Sequence, residues 1–179
     1  MNLPEKLRKS KLVTLAFEFS QKAHTGQKRD SGEEYIVHPY RVCISLFEEF
    51  GIEDENLLAA GLLHDVIEDS STSHEQLSKL FNERVANLVD AVTKKKDSTD
   101  PKWKEKYYKN IQNSDEQIQL LKFVDRLDNL RDLVSCPSKE KQMRYLKETK
   151  ELFIPWAKKF NEKVYEKLVQ EIEKIEVST

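Results

Sequence analysis

The sequence predicts an all-α fold, organised as a single helical domain. Only four glycines and five prolines occur in 179 residues, and Leu, Lys, Glu and Val dominate, a balance that favours helices over a turn-rich β fold. Apolar residues also recur three and four positions apart, which is the period of an amphipathic helix. Because no repeat or low-complexity linker divides the chain, we predict one domain over residues 1–179 with about eight or nine helices.

The first two predicted helices are delimited by apolar stripes and by helix-breaking residues. Apolar side chains at helical spacing over residues 12–23 predict the first helix, which ends near Gly26. A polar loop over residues 27–34 follows. Pro39 then opens the second helix, because a missing amide costs little in a first turn, and Gly51 closes it.

The third predicted helix covers residues 54–68 and is apolar nearly all round in its middle. A helix of this kind is buried. His64 and Asp65 are therefore expected at the inner end of a core helix, where an unpaired carboxylate is strongly disfavoured or becomes neutral.

The remaining helices are predicted from caps, stripes and prolines. Ser73 and Ser114 each stand three residues before a glutamine in the pattern of a capping box, and the second box opens the helix that carries Asp125. A further helix is predicted over residues 83–93, followed by a charged loop over 94–100, and Pro101 opens the next helix. Two helices are predicted from 138 to 177, with an interruption near Pro155. The second of them is the C-terminal helix, over about 161–177.

The composition excludes several classes of protein. Thirty basic and 32 acidic residues leave a formal net charge of −2, without the basic excess typical of nucleic-acid binders. Cys43 and Cys136 offer neither a disulfide framework nor a metal knuckle. No apolar run reaches membrane-spanning length, and the chain does not start with the apolar core of a signal peptide. We therefore expect a cytoplasmic protein whose partners are neither nucleic acid nor membrane.

Two imidazoles and two carboxylates form the most informative pattern: His38 before a proline, the pair His64 and Asp65, and the distant Asp125. Such a set holds one divalent ion and leaves coordination positions open. Taken singly, each residue has an ordinary alternative, a hydrogen-bonded histidine or a carboxylate paired with a neighbouring arginine. Manganese suits two nitrogen and two oxygen ligands, while zinc, iron and magnesium remain open. The ion is expected to polarise a phosphoryl oxygen and to activate a water molecule.

Glu68 and Asp69 follow His64 and Asp65 by four residues each, so on a continuous helix each shares a face with a predicted ligand. Acidic residues at a helix C-terminus oppose the macrodipole unless a cation compensates. The alternative is an acidic helix end in solvent. We predict that the pair orients and deprotonates an attacking water and then handles the proton of the leaving group.

Five segments resemble the hydrolase domain of the RelA/SpoT family, a branch of the HD phosphohydrolase superfamily. They are residues 23–29, 35–39, 62–69, 92–94 and 122–131. The His-Asp-x-x-Glu-Asp block within 62–69 distinguishes this branch from most HD enzymes. The resemblance covers about residues 12–160, and the length is that of the stand-alone small alarmone hydrolases, which include the metazoan SpoT homologs. It implies a single HD-domain helical bundle.

The resemblance implies a manganese-dependent (p)ppGpp 3′-pyrophosphohydrolase, which releases pyrophosphate from the ribose 3′ oxygen of guanosine tetra- and pentaphosphate. The matching metal ligands are His38, His64, Asp65 and Asp125, and the matching catalytic acids are Glu68 and Asp69. For the substrate it implies Asn129 and Arg29, whose guanidinium can stack on a purine. Lys28 and Lys102 are further candidates for phosphate contacts, with a solvated surface cation as the alternative.

Two positions depart from the family pattern. Asp30 stands where the family usually has lysine, and Glu34 where it usually has proline. A carboxylate directed at a polyphosphate weakens binding by on the order of 1 kcal/mol at a partly exposed site. These positions support an alternative, an HD phosphohydrolase that acts on another phosphorylated nucleotide, such as a 3′- or 2′-phosphorylated adenine compound. A third hypothesis, a helical interaction module without catalysis, conflicts with the complete set of ligands and acids.

The expected partner is a small-molecule nucleotide substrate. In prokaryotes such proteins resemble antitoxins that degrade the product of a toxic alarmone synthetase, so a cognate synthetase and a homo-oligomer are further candidates. We expect no alarmone-making activity, because no synthetase region follows the hydrolase portion.

Overall fold

The computed structural model describes residues 1–95 and 99–177. The α-helices are α1 (Glu5–Arg8), α2 (Lys11–Ala23), α3 (Val37–Ile44), α4 (Glu55–Leu63), α5 (Val66–Asp69), α6 (His74–Leu80), α7 (Glu83–Val92), α8 (Trp103–Gln112), α9 (Glu116–Leu133), α10 (Lys139–Glu148), α11 (Ile154–Phe160) and α12 (Glu162–Val177). Two π-helical turns, Ser45–Glu49 and Thr149–Phe153, continue α3 and α10. Across these residues the β structure is confined to an isolated bridge between Lys28 and Glu34. The predicted all-α fold is confirmed.

Parts of two sequence predictions lie outside the described residues. They are positions 96–98 of the predicted charged loop and positions 178–179 at the end of the predicted domain. Among the helices that the structure does describe, none combines the length and the apolar character needed to cross a membrane.

The main difference from the predicted helices lies at His64 and Asp65. The single helix expected over residues 54–68 is divided into α4 and α5, with these two residues in the turn between them. Consecutive residues on a regular helix point about 100° apart and do not face each other. The turn brings His64 Nε2 to 3.2 Å from Asp65 Oδ2, while His64 Nδ1 lies 2.9 Å from the carbonyl oxygen of Gly61. The interruption therefore lets both side chains reach one point.

Two predictions about helix ends were wrong. Ser114 does not cap α9, because its hydroxyl donates to the carbonyl oxygen of Ile111 and Asp115 precedes the helix without a side-chain cap. Pro155 does not interrupt the chain, because it falls in the first turn of α11, where a missing amide is tolerated. The break comes instead at Asn161, between α11 and α12. With the one-turn helices α1 and α5, the described residues form twelve α-helices rather than eight or nine.

Helix α9 lies between two apolar clusters that form the core. Leu121 and Val124 join the first cluster, which is built mainly from α1 to α7. Phe123 and Leu127 join the second cluster, together with α8, α11 and α12. Charged residues of α9 are buried between these apolar positions: Lys122, Asp125, Arg126 and Asp128. Because buried charges need partners, the middle of α9 marks the part of the fold where polar groups from several helices must meet.

Glu49 ends the π-helical turn after α3 and ties it to α9 and α12. Its carboxylate accepts hydrogen bonds from Arg131 over 2.8 and 3.0 Å and from Lys167 over 2.5 Å. Burial acts to raise the pKa of Glu49, but these cations lower it to about 2. A carboxyl whose pKa is depressed in the folded chain stabilises the fold above its unfolded pKa, and this stabilisation is lost as the pH falls through the folded pKa.

We expect Glu49→Gln to lower the free energy of unfolding near neutral pH by on the order of 2 kcal/mol. The substitution should also flatten the pH dependence of that free energy between the ordinary pKa of 4.5 and the depressed value of about 2. Urea unfolding of both proteins across this range measures the difference. Parallel stability curves for the two proteins would show that the Glu49 pKa is not depressed.

Candidate metal centre and adjoining pocket

Four predicted metal ligands from three parts of the fold converge on one point. His38 lies in the first turn of α3, His64 and Asp65 lie in the turn between α4 and α5, and Asp125 lies in the middle of α9. The Nε2 atoms of the two histidines are 3.1 Å apart. Asp65 Oδ2 lies 3.5 and 3.2 Å from these two nitrogens, and Asp125 Oδ1 lies 3.3 and 3.7 Å from them. All four residues are buried.

The spacing of these atoms fits a single divalent ion. Two ligands about 2.1 Å from a metal, in adjacent positions of its coordination sphere, are about 3.0–3.4 Å apart. The ligand atoms of His38, His64 and Asp65 all lie within 4.8 Å of one another. Asp125 joins this group through its contacts with both imidazoles. Two nitrogen and two oxygen donors suit a hard or borderline ion, so the donor set can hold a metal.

The charges in this cluster favour a cation at its centre. Burial acts to lower the pKa of His38, but hydrogen bonds with Asp125 and Asp128 and the charge of Asp65 raise it to about 9. Burial also acts to raise the pKa of Asp65, yet the neighbouring His64 and His38 hold it well below its usual range. The carboxylates therefore stay ionised, and their negative charge favours a cation at the centre of the cluster. A metal ion and the proton of His38 compete for the same position.

Two buried charged residues of α9, which were not predicted from the sequence, contact the candidate ligands. Asp128 Oδ2 lies 2.7 Å from Nδ1 of His38, and Lys122 Nζ donates to Asp125 Oδ2 over 2.8 Å. Outer partners of this kind fix the orientation of metal ligands. A signal for them was present in the sequence, because Lys122, Asp125 and Asp128 recur at three-residue spacing on one face of a helix that is otherwise apolar there.

Asp69 is joined to the metal cluster through Tyr35. The Tyr35 hydroxyl lies 2.8 Å from both Asp65 Oδ2 and Asp69 Oδ2. Burial beside these carboxylates raises the pKa of Tyr35 far above its usual range, so the hydroxyl stays a donor. The Asp69 amide donates to the Asp65 carbonyl over 2.8 Å, which keeps Asp69 one helical turn from Asp65 as predicted. Gln27 Nε2 donates to the Asp69 carbonyl over 2.7 Å and fixes this end of α5.

Glu68 is turned toward Lys94. The Lys94 amide donates to Glu68 Oε2 over 3.2 Å, and the Lys94 ammonium lies 3.3 Å from both carboxylate oxygens. Because α4 ends before His64 and α5 begins after Asp65, Glu68 and His64 do not share one helix face, contrary to the expectation. The cation that compensates this acidic helix end is therefore Lys94, which lies in one of the five segments that resemble the family.

A pocket of about 220 Å³ adjoins the metal cluster. Tyr35 and Asn129 line it, and both also contact the predicted ligands, since Asn129 Nδ2 donates to the Asp125 carbonyl over 2.9 Å. Arg29 forms another part of the wall, and its guanidinium donates to Asp132 over 2.9 Å and to Asn129 over 2.7 Å. The same group lies 5.4 Å from the centre of the Tyr35 ring. These contacts hold the guanidinium plane in one orientation.

Three of the four residues predicted to bind substrate line this pocket, namely Lys28, Arg29 and Asn129. Lys102 is not among the residues that line it. That lysine is exposed and stands just before α8, where its amide donates to Asp100 over 2.8 Å. Helix α10 contributes a further part of the wall, which includes Lys141 and Tyr145 and was not predicted from the sequence.

The two carboxylates that depart from the family pattern are each paired with a cation. Asp30 forms an ion pair with Lys141 and accepts a 3.6 Å hydrogen bond from the Cys136 thiol. Glu34 forms an ion pair with Lys28. The hydrogen bond from Lys141 lowers the pKa of Asp30. The negative charges are therefore balanced within the protein, which reduces the repulsion that the sequence predicted for an anionic ligand.

Known proteins of similar sequence share the HD domain. A family profile described as HD domain matches residues 16–162. The chain is 42% identical over 148 residues to the guanosine-3′,5′-bis(diphosphate) 3′-pyrophosphohydrolase of Aquifex aeolicus, a match that covers 81% of this chain and 21% of that protein. It is 36% identical over 155 residues to the bifunctional (p)ppGpp synthase/hydrolase SpoT of Escherichia coli, covering 82% of this chain and 21% of that protein. The chain thus spans about a fifth of the length of these curated relatives.

A solved structure, described as a metazoan ortholog of SpoT that hydrolyses ppGpp, is similar over nearly the whole chain. The two structures match with a TM-score of 0.81 and 29% identity, and the match covers 97% of this chain and 98% of the other. The helical arrangement described above is therefore also found in a protein of about the same length.

Proposed function

The chain belongs to the HD-domain family, and we propose that it is a metal-dependent (p)ppGpp 3′-pyrophosphohydrolase, whose products are GDP or GTP and pyrophosphate. The observation that carries this proposal is the convergence of four metal donors beside a pocket that shares Tyr35 and Asn129 with them. The relatives supply the substrate class, since the Aquifex aeolicus protein is named as this hydrolase and the metazoan structure is described as hydrolysing ppGpp.

In this proposal His38, His64, Asp65 and Asp125 hold one manganese ion. When bound, the ion supplies a Lewis acid for a phosphoryl oxygen and lowers the pKa of a water molecule. The protein's own contribution is to keep the four donors converged in a buried site. Manganese is proposed because the resemblance to the RelA/SpoT hydrolase domain implies it, and the mixed set of imidazole nitrogen and carboxylate oxygen donors is compatible with that ion.

Glu68 and Asp69 are the proposed acid–base pair. Asp69 lies beside the cluster, where its carboxylate contacts the Tyr35 hydroxyl, and the carboxylate of Glu68 accepts a hydrogen bond from Lys94. Carboxylates positioned in this way can accept the proton of an attacking water and return a proton to the ribose 3′ oxygen as pyrophosphate leaves. Their fixed orientation supports the proposal, because proton transfer depends on geometry first.

The nucleotide is proposed to lie in the pocket beside Arg29, Asn129 and Lys28. The Arg29 guanidinium, held in plane by its carboxylate and amide partners, offers a face on which a purine can stack. The pairing of Asp30 with Lys141 and of Glu34 with Lys28 reduces the repulsion that supported a different nucleotide. Lys102 stands outside this pocket and is not part of the proposal.

A panel of nucleotides tests this function. The full chain, reconstituted with manganese, is expected to release pyrophosphate from ppGpp and to leave GDP. The matched adenine compound with the same 3′- and 5′-diphosphates should react more slowly, and chelation of the metal should stop both reactions. If ppGpp stays intact while the adenine compound is hydrolysed, the alternative substrate class is correct. If neither reacts, the proposed (p)ppGpp hydrolase function fails.

Lys141→Gln should raise the KM for ppGpp several-fold with little change in kcat. The substitution leaves the Asp30 carboxylate without its cation in the pocket wall, where it repels a polyphosphate by on the order of 1 kcal/mol. The double variant Asp30→Asn with Lys141→Gln is the matched control, and its KM should return toward that of the wild type. Equal KM values in all three proteins would place the substrate elsewhere.

The cellular setting is proposed from the sequence alone. We propose a cytoplasmic location and a small-molecule nucleotide as the main partner, with self-association and a cognate toxic alarmone synthetase as further proposals. Size-exclusion chromatography coupled to light scattering tests self-association directly.

A further inference from the structure

Asp128, which the proposed chemistry does not use directly, anchors a metal ligand. It is 1% exposed. Its Oδ2 lies 2.7 Å from His38 Nδ1, and Arg41 donates from Nε to Oδ1 over 2.8 Å and from Nη2 to Oδ2 over 3.0 Å. Both oxygens of Asp128 are therefore occupied by partners that fix its orientation.

This arrangement selects one form of the His38 ring. A carboxylate accepts but does not donate, so Asp128 requires the proton of His38 on Nδ1. In the neutral ring, the form that binds a metal, Nε2 then keeps its lone pair directed at His64 and the two carboxylates of the cluster. Without Asp128 the neutral ring could carry its proton on either nitrogen, and only the tautomer with the proton on Nδ1 leaves Nε2 able to bind a metal.

The same arginine connects the metal ligand to the pocket wall. Arg41 Nη2 donates to Asp132 Oδ1 over 2.5 Å, and Asp132 Oδ2 accepts from Arg29 Nε over 2.9 Å. Arg29 Nη2 in turn donates to Asn129 Oδ1 over 2.7 Å. Asn129 Nδ2 donates to the carbonyl of Asp125, another ligand of the cluster. A continuous series of hydrogen bonds therefore starts at His38, passes through the pocket and returns to Asp125.

We propose that Asp128 and Arg41 are positioning residues that join the metal centre and the pocket wall into one hydrogen-bonded unit, so that the pocket arginine Arg29 helps to set the affinity for the metal. This inference rests on the proposed function and extends it. Arg29 touches none of the four metal ligands, so an effect on metal affinity reaches the cluster through its partners, which are Asp132, Asn129 and the Tyr35 ring. The inference also explains why α9 carries acidic residues at both 128 and 132, one turn apart.

Calorimetric titration of the metal-free full chain with manganese alone tests the inference. Asp128→Asn keeps the shape of the side chain and should weaken manganese binding about 10–100-fold, the range for outer partners of metal ligands. Arg41→Met should weaken it about 10-fold, and Arg41→Lys should recover part of the loss, since it keeps the charge but not the two-point contact. Arg29→Met should weaken it several-fold.

The double variant Arg29→Met with Arg41→Met separates a connected unit from two independent effects. In a connected unit the loss of manganese affinity in the double variant is smaller than the product of the two single losses, because both substitutions break the same series of bonds. Independent effects would instead multiply, and that result overturns the inference.

Arg131→Gln is the control for a merely structural arginine. Arg131 is 29% exposed, like Arg41, and it also joins two carboxylates, Glu49 and Glu171, but away from the metal cluster. The Arg131→Gln substitution should lower the melting temperature and leave manganese affinity unchanged. Circular dichroism checks the helical content of every variant. If Arg41→Met loses thermal stability but binds manganese as Arg131→Gln does, the positioning role is refuted while the proposed function stands. If the wild type itself binds no manganese, the proposed function fails first and the inference falls with it.

Discussion

Asp65→Ala should abolish manganese binding and reduce turnover to the level of the metal-stripped wild type. The substitution removes the oxygen that lies 3.2 Å from His64 Nε2 and 3.5 Å from His38 Nε2. The loss of a direct ligand should exceed the 10–100-fold loss of affinity that outer partners cause. It also removes one acceptor of the Tyr35 hydroxyl, which holds Asp69 beside the cluster.

The fold should survive this change. Asp65 stands in the turn between α4 and α5 rather than inside a helix, so no helical hydrogen-bond ladder depends on its side chain. Calorimetry with manganese, a ppGpp hydrolysis assay and circular dichroism measure the three properties. Asp90→Ala is a matched control, since Asp90 lies on α7 and pairs with Lys95 away from the cluster. Wild-type activity in the Asp65 variant would refute the ligand assignment.

Glu68→Gln should lower kcat by roughly 10²-fold or more, the usual scale for a positioned general acid or base, while manganese affinity stays close to that of the wild type. The amide has nearly the same shape as the carboxylate and can still accept the Lys94 amide hydrogen bond, but it cannot take up a proton. Because the described contacts of this side chain are with Lys94 rather than with the metal ligands, the donor cluster should remain intact.

Measurement of kcat, KM and manganese affinity on the same protein separates the possible roles of Glu68. An unchanged affinity with a reduced kcat supports proton transfer. Loss of manganese binding would instead make Glu68 a part of the metal centre. Lys94→Met tests the orienting contact, since it leaves the carboxylate in place without its cation, and a loss smaller than that of Glu68→Gln is expected.

The sequence predicted the helices best where the signal was local. The stripe over residues 12–23 and the serine cap at Ser73 were found where expected, as α2 and the start of α6. The helix over residues 54–68 was predicted as continuous, because one long apolar helix and two shorter helices share the same composition. The interruption at His64 and Asp65 is favoured by contacts with His38 and Asp125, which lie far away in the chain.

The candidate donors were predicted because imidazole and carboxylate groups among apolar residues need a partner when they are buried. The supporting residues Asp128 and Lys122 were not predicted, because their three-residue spacing from Asp125 is also common among exposed helix charges, and only the structure shows that they are buried. These charges are buried because the two apolar clusters pack on both sides of α9, and the composition of the helix alone does not reveal that packing.

By itself, the sequence determined the helical class of the fold and the chemical nature of the donor set, because helix period and residue type are local properties of the chain. Only the tertiary structure decided which charges meet. His38 pairs with Asp128 across 90 positions, and Asp30 pairs with Lys141 across 111. The strength of such pairs depends on distance and on exclusion of water, which exist only once the helices have packed.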